Sequence, residues 1–166
     1  MKKKALIVTV GILFVVLLGT IFIGTTRYSC TSMEKLFAND KLLFHNAAET
    51  LLDHPCDGGI RIRKEDPQNE LVTVIQVGEL FIETEGATFS SDINEEIYAA
   101  VAPLFEKNYV TGIAGGSGQI QFAINSYMGE ESSIVFSTNN KPRGSFPTLI
   151  EQKKLEENWY AIICQD

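Results

Sequence analysis

The chain has 166 residues and a formal net charge of −7, carried by 21 acidic and 14 basic side chains. This length is ample for one domain with its own hydrophobic core. The acidic balance argues against nucleic acid as a partner, because such a surface repels phosphate backbones.

The chain opens with a lysine cluster and an apolar segment. Residues 2–4 are lysines, and residues 5–24 contain no charged side chain. A helix of that length covers about 30 Å, the thickness of the hydrocarbon core of a bilayer. We therefore predict a transmembrane anchor over 5–24. The lysines favour the cytoplasmic side. Residues 1–4 are therefore expected in the cytoplasm, and the residues from about Thr25 onward are expected outside.

Two alternatives for this segment remain open. Gly24 and Thr26 form a small-x-small pair that a signal peptidase can accept, so the apolar segment is also compatible with a cleaved signal. A lipoprotein would use Cys30 as the lipid-bearing residue, but Arg27 and Tyr28 fit poorly in the apolar box that must precede it. With an uncleaved anchor, residues 25–30 are a short linker and 31–166 form one extracytoplasmic domain.

The domain is predicted to begin with a helix. Thr31 and Glu34 have the spacing of a capping box, and apolar residues recur at helical intervals as far as Leu52. Asn39 and Asp40 interrupt this pattern, which predicts either a kink or a second helix start. The helix should end before Pro55, with a turn over 57–59.

Strand patterns and a second helix follow. Residues 60–63 alternate strictly, a turn is predicted at 66–69, and 71–84 is rich in β-branched residues. Gly78 interrupts this second run, which indicates a bulge or a tight hairpin. Ser91 or Asp92 is expected to cap a helix that contains Pro103, a residue that should bend or shorten it.

The residues after this helix are predicted to form mostly strands. These cover 109–113, 119–125, 133–138 and 159–164, with a glycine-rich hairpin loop at 112–118 and a short polar helix at 148–157. The expected fold class is α+β: an antiparallel sheet with two main helices packed on one face, which leaves the other face in contact with solvent.

Two segments of the domain resemble a known group of proteins. The order of elements, together with SSIVFST (132–138) and LEENWYAII (155–163), is similar to small membrane-anchored α+β proteins of Gram-positive bacteria. The resemblance implies an extracytoplasmic location and this fold, and it assigns no site residues.

The three cysteines allow one disulfide in an oxidising compartment. Pairing Cys56 with Cys164 would join the beginning of the domain to its end, and would leave Cys30 free or available to cross-link two copies. The alternative is that Cys56 and Cys164 are unpaired buried thiols.

Three other segments share features with known functional motifs. His54 and Cys56 are residue types found in zinc sites and in Cys–His nucleophile pairs, but the sequence offers no second pair of ligands. The glycine segment 112–118 lacks the Gly-Lys-Ser/Thr ending of a phosphate-binding loop. Residues 92–103 begin like a calcium loop, but Ile97 and Pro103 occupy its required glycine and glutamate positions. We therefore predict no catalytic, cofactor-binding or metal-binding residues.

One polar surface is a candidate for binding. Alternation places five polar residues on the solvent face of the sheet, where they form a possible partner face: Arg61, Arg63, Gln119, Gln121 and Asn125. The leading hypothesis is a non-enzymatic anchored domain that binds, senses or scaffolds, with an envelope protein as its partner. The alternatives are an extracytoplasmic hydrolase that uses two carboxylates, and a minor pilin-like subunit.

Overall fold

The computed structural model describes residues 28–56, 58–65, 72–127 and 129–166. Within these ranges the protein is an α+β domain of three helices and eight strands. The helices are α1 (Cys30–Asn39), α2 (Lys41–Asp53) and α3 (Ser91–Glu106). The strands are β1 (Ile60–Arg63), β2 (Thr73–Val77), β3 (Leu80–Thr84), β4 (Gly112–Gly116), β5 (Gln119–Tyr127), β6 (Glu130–Ser137), β7 (Thr148–Glu156) and β8 (Trp159–Gln165).

The predicted anchor at 5–24 and the predicted turn at 66–69 lie outside the described residues. Among the helices that are described, none has the length and apolar character needed to cross a bilayer.

The strands form one antiparallel sheet in the order β2-β3-β1-β4-β5-β6-β8-β7. All three helices share a single hydrophobic core with one face of this sheet. Trp159 is the largest fully buried side chain of that core, and it packs against the rings of Phe37, Phe44 and Phe122.

The first predicted helix is in fact two helices, divided at Asp40, the position where the apolar pattern is interrupted. The prediction of two main helices is therefore corrected to three. The caps also differ: Ser29 caps α1 in place of Thr31, and Ser90 caps α3 in place of Ser91 or Asp92. Neighbouring serine and threonine residues are equally able to cap, so the sequence could not distinguish among them.

The predicted polar helix at 148–157 is wrong, because this segment is the edge strand β7. Its side chains are mostly exposed and its register with β8 shifts twice. Pairing with β8 supplies backbone hydrogen bonds that outweigh the local helical preference of these residues. The hairpin alternative at Gly78 is confirmed: β2 and β3 pair through a turn in which Gly78 has φ 58°.

Candidate binding trough on the open sheet face

Strand β1 sends alternate side chains to opposite sides of the sheet. Ile60 and Ile62 enter the core beneath the helices, so Arg61 and Arg63 project from the other side. In β5, Ile120 and Phe122 enter the same core, and Gln121 projects next to the arginines. We call this second side of the sheet, which no described helix covers, the open face.

Strand β4 lies between β1 and β5 and contributes almost no side chain to the open face. Arg63 lies beside Gly112 and Arg61 beside Ala114, with Gln121 on the far side of Ala114. Neighbouring strands are about 4.8 Å apart and alternate residues about 6.7 Å apart, so the bare floor is about 13 Å long and about 10 Å wide. We call this depression the trough. Its floor is Gly112, Ala114 and Gly116, and its walls are Arg61, Arg63, Gln119 and Gln121.

The strand predicted at 109–113 lies instead at 112–116, so the prediction of a flexible glycine loop at 112–118 is wrong for its first five residues. They are extended and pair with β1 on one side and with β5 on the other. Two ladders of backbone hydrogen bonds hold the glycines extended, despite the entropic cost of ordering them. Only Ser117 and Gly118 form the turn, both with positive φ.

The trough contains two adjoining depressions of about 230 Å³ each. Both are lined by Arg61, Ala114 and Gln121, so they form one continuous concave surface. One depression extends toward Glu85 and the other toward Ser145. Ligand pockets usually measure about 300–1,000 Å³ and are mostly apolar, so each depression alone is smaller and more polar than a usual small-molecule pocket.

The two arginines of the wall have different environments. The Nε of Arg63 donates a hydrogen bond of 2.6 Å to Glu83, a carboxylate in a residue only 3% exposed. Burying a carboxylate is costly without such a partner. Arg61 is exposed and has no hydrogen-bond or ion-pair partner among the described residues. Two guanidinium groups therefore flank the buried carboxylate of Glu83. Arg63 forms an ion pair with it, and Arg61 does not.

The opposite wall contains a fixed amide. The side-chain nitrogen of Gln121 donates to the carboxylate of Glu131 and to the hydroxyl of Ser133, the latter at 2.9 Å. Ser133 donates in turn to Glu131 at 2.9 Å. Because both N–H bonds of the amide are used, its orientation is set, and the Gln121 carbonyl oxygen is left as an acceptor without a partner among the described residues.

Residues 139–147, which we call the strap, cover the other half of the open face. The amide of Gln119 makes two bonds to the backbone of Arg143, at 2.7 and 2.8 Å, and the hydroxyl of Tyr160 donates to Asn140 at 2.9 Å. Phe146 packs on a small apolar cluster beneath the strap, formed by Val135, Tyr160, Ile162 and Cys164.

Four residues of the predicted partner face lie on the open face, and Asn125 does not. A bulge between Ala123 and Asn125 places Asn125 opposite Ser132, which neighbours the core residue Ile163. The bulge thus moves Asn125 to the helix-covered face. Of the four that remain, Gln119 holds the strap, while the amide nitrogen of Gln121 and the Arg63 guanidinium have internal partners.

The three cysteines are free thiols. Cys56 donates to the backbone oxygen of Glu85 at 3.2 Å, and Cys164 lies buried in β8 beneath the strap. Three strands, β4, β5 and β6, separate β8 from β1, which begins just after Cys56. The predicted bridge between Cys56 and Cys164 is not formed, since a disulfide requires Cα atoms within about 7 Å.

The two buried thiols are held in their protonated form. Burial, reinforced by the nearby charge of Glu151, raises the pKa of Cys30 to about 12. Burial also raises the pKa of Cys164, with a contribution from Glu131. Because Cys30 is fully enclosed and contacts the backbone oxygen of Ala161, it is not placed to cross-link two copies.

His54 and Cys56 have separate partners. The Nε2 of His54 lies 3.3 Å from the carboxylate of Glu96 on α3, whereas Cys56 contacts the backbone beyond β3. Across the part of the chain that the structure describes, no group of three or more metal-ligating side chains is present.

Sequence reasoning missed a cluster on the helix-covered side, where α2 meets β7. Glu156 of β7 accepts hydrogen bonds from Lys41 and His45 of α2. Burial raises the pKa of Glu156, but these two hydrogen bonds outweigh it and bring the pKa below its usual value. His45 and Glu156 are 111 residues apart, and β7 was predicted as a helix, so no sequence spacing could have joined them.

No family model matches the chain, and neither a curated protein nor a solved structure matches it significantly. The site is therefore interpreted from its own residues.

Proposed function

We propose that this chain is a single-pass membrane protein whose extracytoplasmic domain binds a partner and does not catalyse a reaction. The uncharged segment 5–24 supports the anchor, and the lysines at 2–4 support a cytoplasmic N-terminus. An anchor that ends at Gly24 leaves only residues 25–29 before α1, so the domain would remain next to the bilayer.

The trough is the observation that carries the binding role. It combines a concave surface, a floor without side chains, one uncommitted guanidinium and one fixed amide. Other polar clusters of the domain join its own elements: Lys153 pairs with Glu34, and Lys107 pairs with Asp40. Arg61 differs from these charges because it is exposed on the wall of a concave surface and no described residue pairs with it.

Topology is tested by protease treatment of intact protoplasts that express the full chain with a tag at each end. The tag after Asp166 should be digested, and the tag before Met1 should survive until the membrane is permeabilised. A protected C-terminal tag would refute the proposed orientation. Loss of the N-terminal tag from the mature membrane protein would instead indicate a cleaved signal.

Binding is tested by cross-linking and purification of the full chain from its native envelope. Gly112→Val places a side chain on the floor of the trough, where the added Cβ makes an ordinary contact of 3.7 Å with the Ile62 backbone oxygen. Gln152→Val, an exposed position on β7, is the matched control. A partner recovered with the wild type and the control should fall about tenfold with Gly112→Val, equivalent to about 1.4 kcal/mol.

Equal recovery with all three chains would refute the trough as the binding surface. Turnover of a cell-wall fragment by the purified chain would refute the non-enzymatic role.

A further inference from the structure

The trough presents two polar atoms of opposite character across its floor. Arg61, Ala114 and Gln121 lie side by side on β1, β4 and β5, in one row across the sheet. The Arg61 guanidinium offers N–H donors, and the Gln121 carbonyl offers an acceptor. Their Cα atoms are two strand spacings apart, about 10 Å, and both side chains line the depressions beside Ala114.

These two atoms define the chemistry of a ligand that satisfies both. A guanidinium group matches the two oxygens of a carboxylate, with two parallel hydrogen bonds. An amide carbonyl accepts from an N–H or O–H group. The last residue of a peptide carries both complementary groups close together, a terminal carboxylate and its own amide N–H.

The shape of the floor fits an extended chain. An extended peptide advances about 3.3 Å per residue. Arg61 and Gln121 lie level with Ala114, the middle of the floor, so the half of the floor on either side, about 7 Å, accommodates about two residues of a chain that ends there. Gly112 leaves room at one end of the floor, whereas at the other end the Gly59 Cα lies 3.4 Å from the position of an added Cβ on Gly116.

The surrounding charges favour a carboxylate over a phosphate. Glu83 is neutralised by Arg63, but the exposed Glu85 lines one depression and Glu131 lines the other. Glu131 is hydrogen-bonded to Gln121, so its negative charge lies close to the second ligand contact. A doubly charged phosphate would meet more repulsion there than a carboxylate of single charge.

We infer that the trough binds the C-terminal end of an extended peptide, with the terminal carboxylate on Arg61 and the terminal amide N–H on the Gln121 carbonyl oxygen. This inference rests on the proposed binding role and specifies its ligand class. Specificity for the end of a chain follows from the donors of Arg61, since an internal peptide carries no main-chain carboxylate.

The test uses the full chain in lipid nanodiscs and two peptide pools. Both contain N-acetylated tetrapeptides of mixed sequence, one with free carboxyl ends and the other with amidated ends. Retention by the protein is measured by ultrafiltration and mass spectrometry. We expect the free-carboxyl pool to be retained about tenfold more than the amidated pool, the usual effect of a charge-assisted hydrogen-bond pair.

Three variants test which residues cause the preference for free carboxyl ends. Arg61→Met should reduce retention of the free-carboxyl pool to the level of the amidated pool. Gly112→Val should reduce retention of both pools. Arg143→Met, which removes an exposed arginine of the strap while leaving the backbone bonds to Gln119, should retain both pools like the wild type. Arg61→Met removes one of the two guanidinium groups beside Glu83, so its melting temperature is measured as well; the Arg63–Glu83 hydrogen bond is left in place and should keep the variant folded.

Equal retention of the two pools, or an unchanged preference in Arg61→Met, would overturn this ligand class. Inorganic phosphate binding as tightly as the free-carboxyl pool would also overturn it, because the site would then be a general anion site. If an envelope partner still depended on Gly112, these results would leave the binding role standing. If that dependence were absent as well, the binding role would fail too.

Discussion

Over β5, β6 and β8 the open face lies beneath the strap, whereas over β1 and β4 no described segment covers it. The covered half buries Tyr160, Ile162 and Cys164. The residues that the uncovered half presents on the same face are glycine, alanine and arginine residues. The two halves belong to one continuous sheet, so strand pairing does not explain the difference. Side-chain size does: large apolar residues require a cover, and a glycine floor does not.

Glycine has opposite roles in the two halves. In the strap, Gly144 permits close approach, since an added Cβ would lie 2.1 Å from the Sγ of Cys164. In the floor, no close approach requires Gly112, since an added Cβ would make only an ordinary contact at 3.7 Å. The same residue type therefore closes one half of the face and keeps the other half open.

Thiol reactivity should show the largest contrast. Cys56 is partly exposed, Cys164 lies beneath the strap, and Cys30 is enclosed on the helix side. A pKa of about 12 instead of 9.0 lowers the thiolate fraction of Cys30 by about a thousandfold near neutral pH. In the native chain at pH 8, iodoacetamide should modify Cys56 first and Cys164 and Cys30 far more slowly, measured by peptide mass spectrometry.

The unfolded chain provides the control for this prediction, because all three thiols should then react at similar rates. Modification of Cys164 as fast as Cys56 in the native chain would mean that the strap does not cover β8.

Gly144→Ala should displace the strap. The added methyl group overlaps with Cys164, and overpacking of this kind lowers the free energy of unfolding by about 1–3 kcal/mol. Denaturant unfolding measures this loss, and labelling of Cys164 should accelerate while labelling of Cys30 stays unchanged.

The second variant of this test is Cys164→Ala, which removes the closest atom and leaves a Cβ at 3.1 Å. The cost of Gly144→Ala should be smaller in that background. An identical cost in both backgrounds would exclude the contact with Cys164 as its cause.

Gly112→Ala should have a smaller effect of opposite sign. Its φ is not in the left-handed region, and the added methyl group makes an ordinary contact of 3.7 Å with the Ile62 backbone oxygen. Restricting the unfolded chain then stabilises the protein by about 0.4–1 kcal/mol, measured by the same denaturant unfolding. A loss of stability would show that the floor is packed against another part of the chain, and would remove the distinction between the two halves.

Much of the fold was accessible from the sequence because it depends on local alternation. The run Ile60–Arg63 and the apolar side chains Ile120 and Phe122 each placed a strand and its buried face correctly. The segment 148–157 was misassigned because its strand state comes from pairing with β8, and its own residues favour a helix. Edge strands with exposed charged side chains lack the buried alternation on which prediction relies.

The candidate site was only partly accessible. Alternation placed Arg61, Arg63 and Gln121 on the open face, but it could not show which of them has an internal partner. The internal partners are Glu83 of β3 and Glu131 of β6. The order of the strands in the sheet brings both of them next to the trough. The glycines of β4 carried a usable signal, since only Ile113 of Gly112–Gly116 is large and apolar, which is what a strand with one buried side chain presents.

Low pH should destabilise the helix-covered side of the sheet and leave the open face unchanged. This is the smallest of the four predicted effects. Hydrogen bonds from Lys41 and His45 lower the pKa of Glu156, so its contribution is fully present above the unfolded value of about 4.5. It is lost as the pH falls through the lower folded value. Because Glu156 is partly exposed, we expect less than about 1 kcal/mol. The stability difference between wild type and Glu156→Gln should therefore shrink as the pH falls below about 5. The strap bonds of Gln119 and Tyr160 are uncharged, so hydrogen-exchange protection of the Arg143 amide, which donates to Gln119, should persist in the acid range where this difference shrinks. If that protection were lost in step with the stability difference, the two sides of the sheet would be coupled.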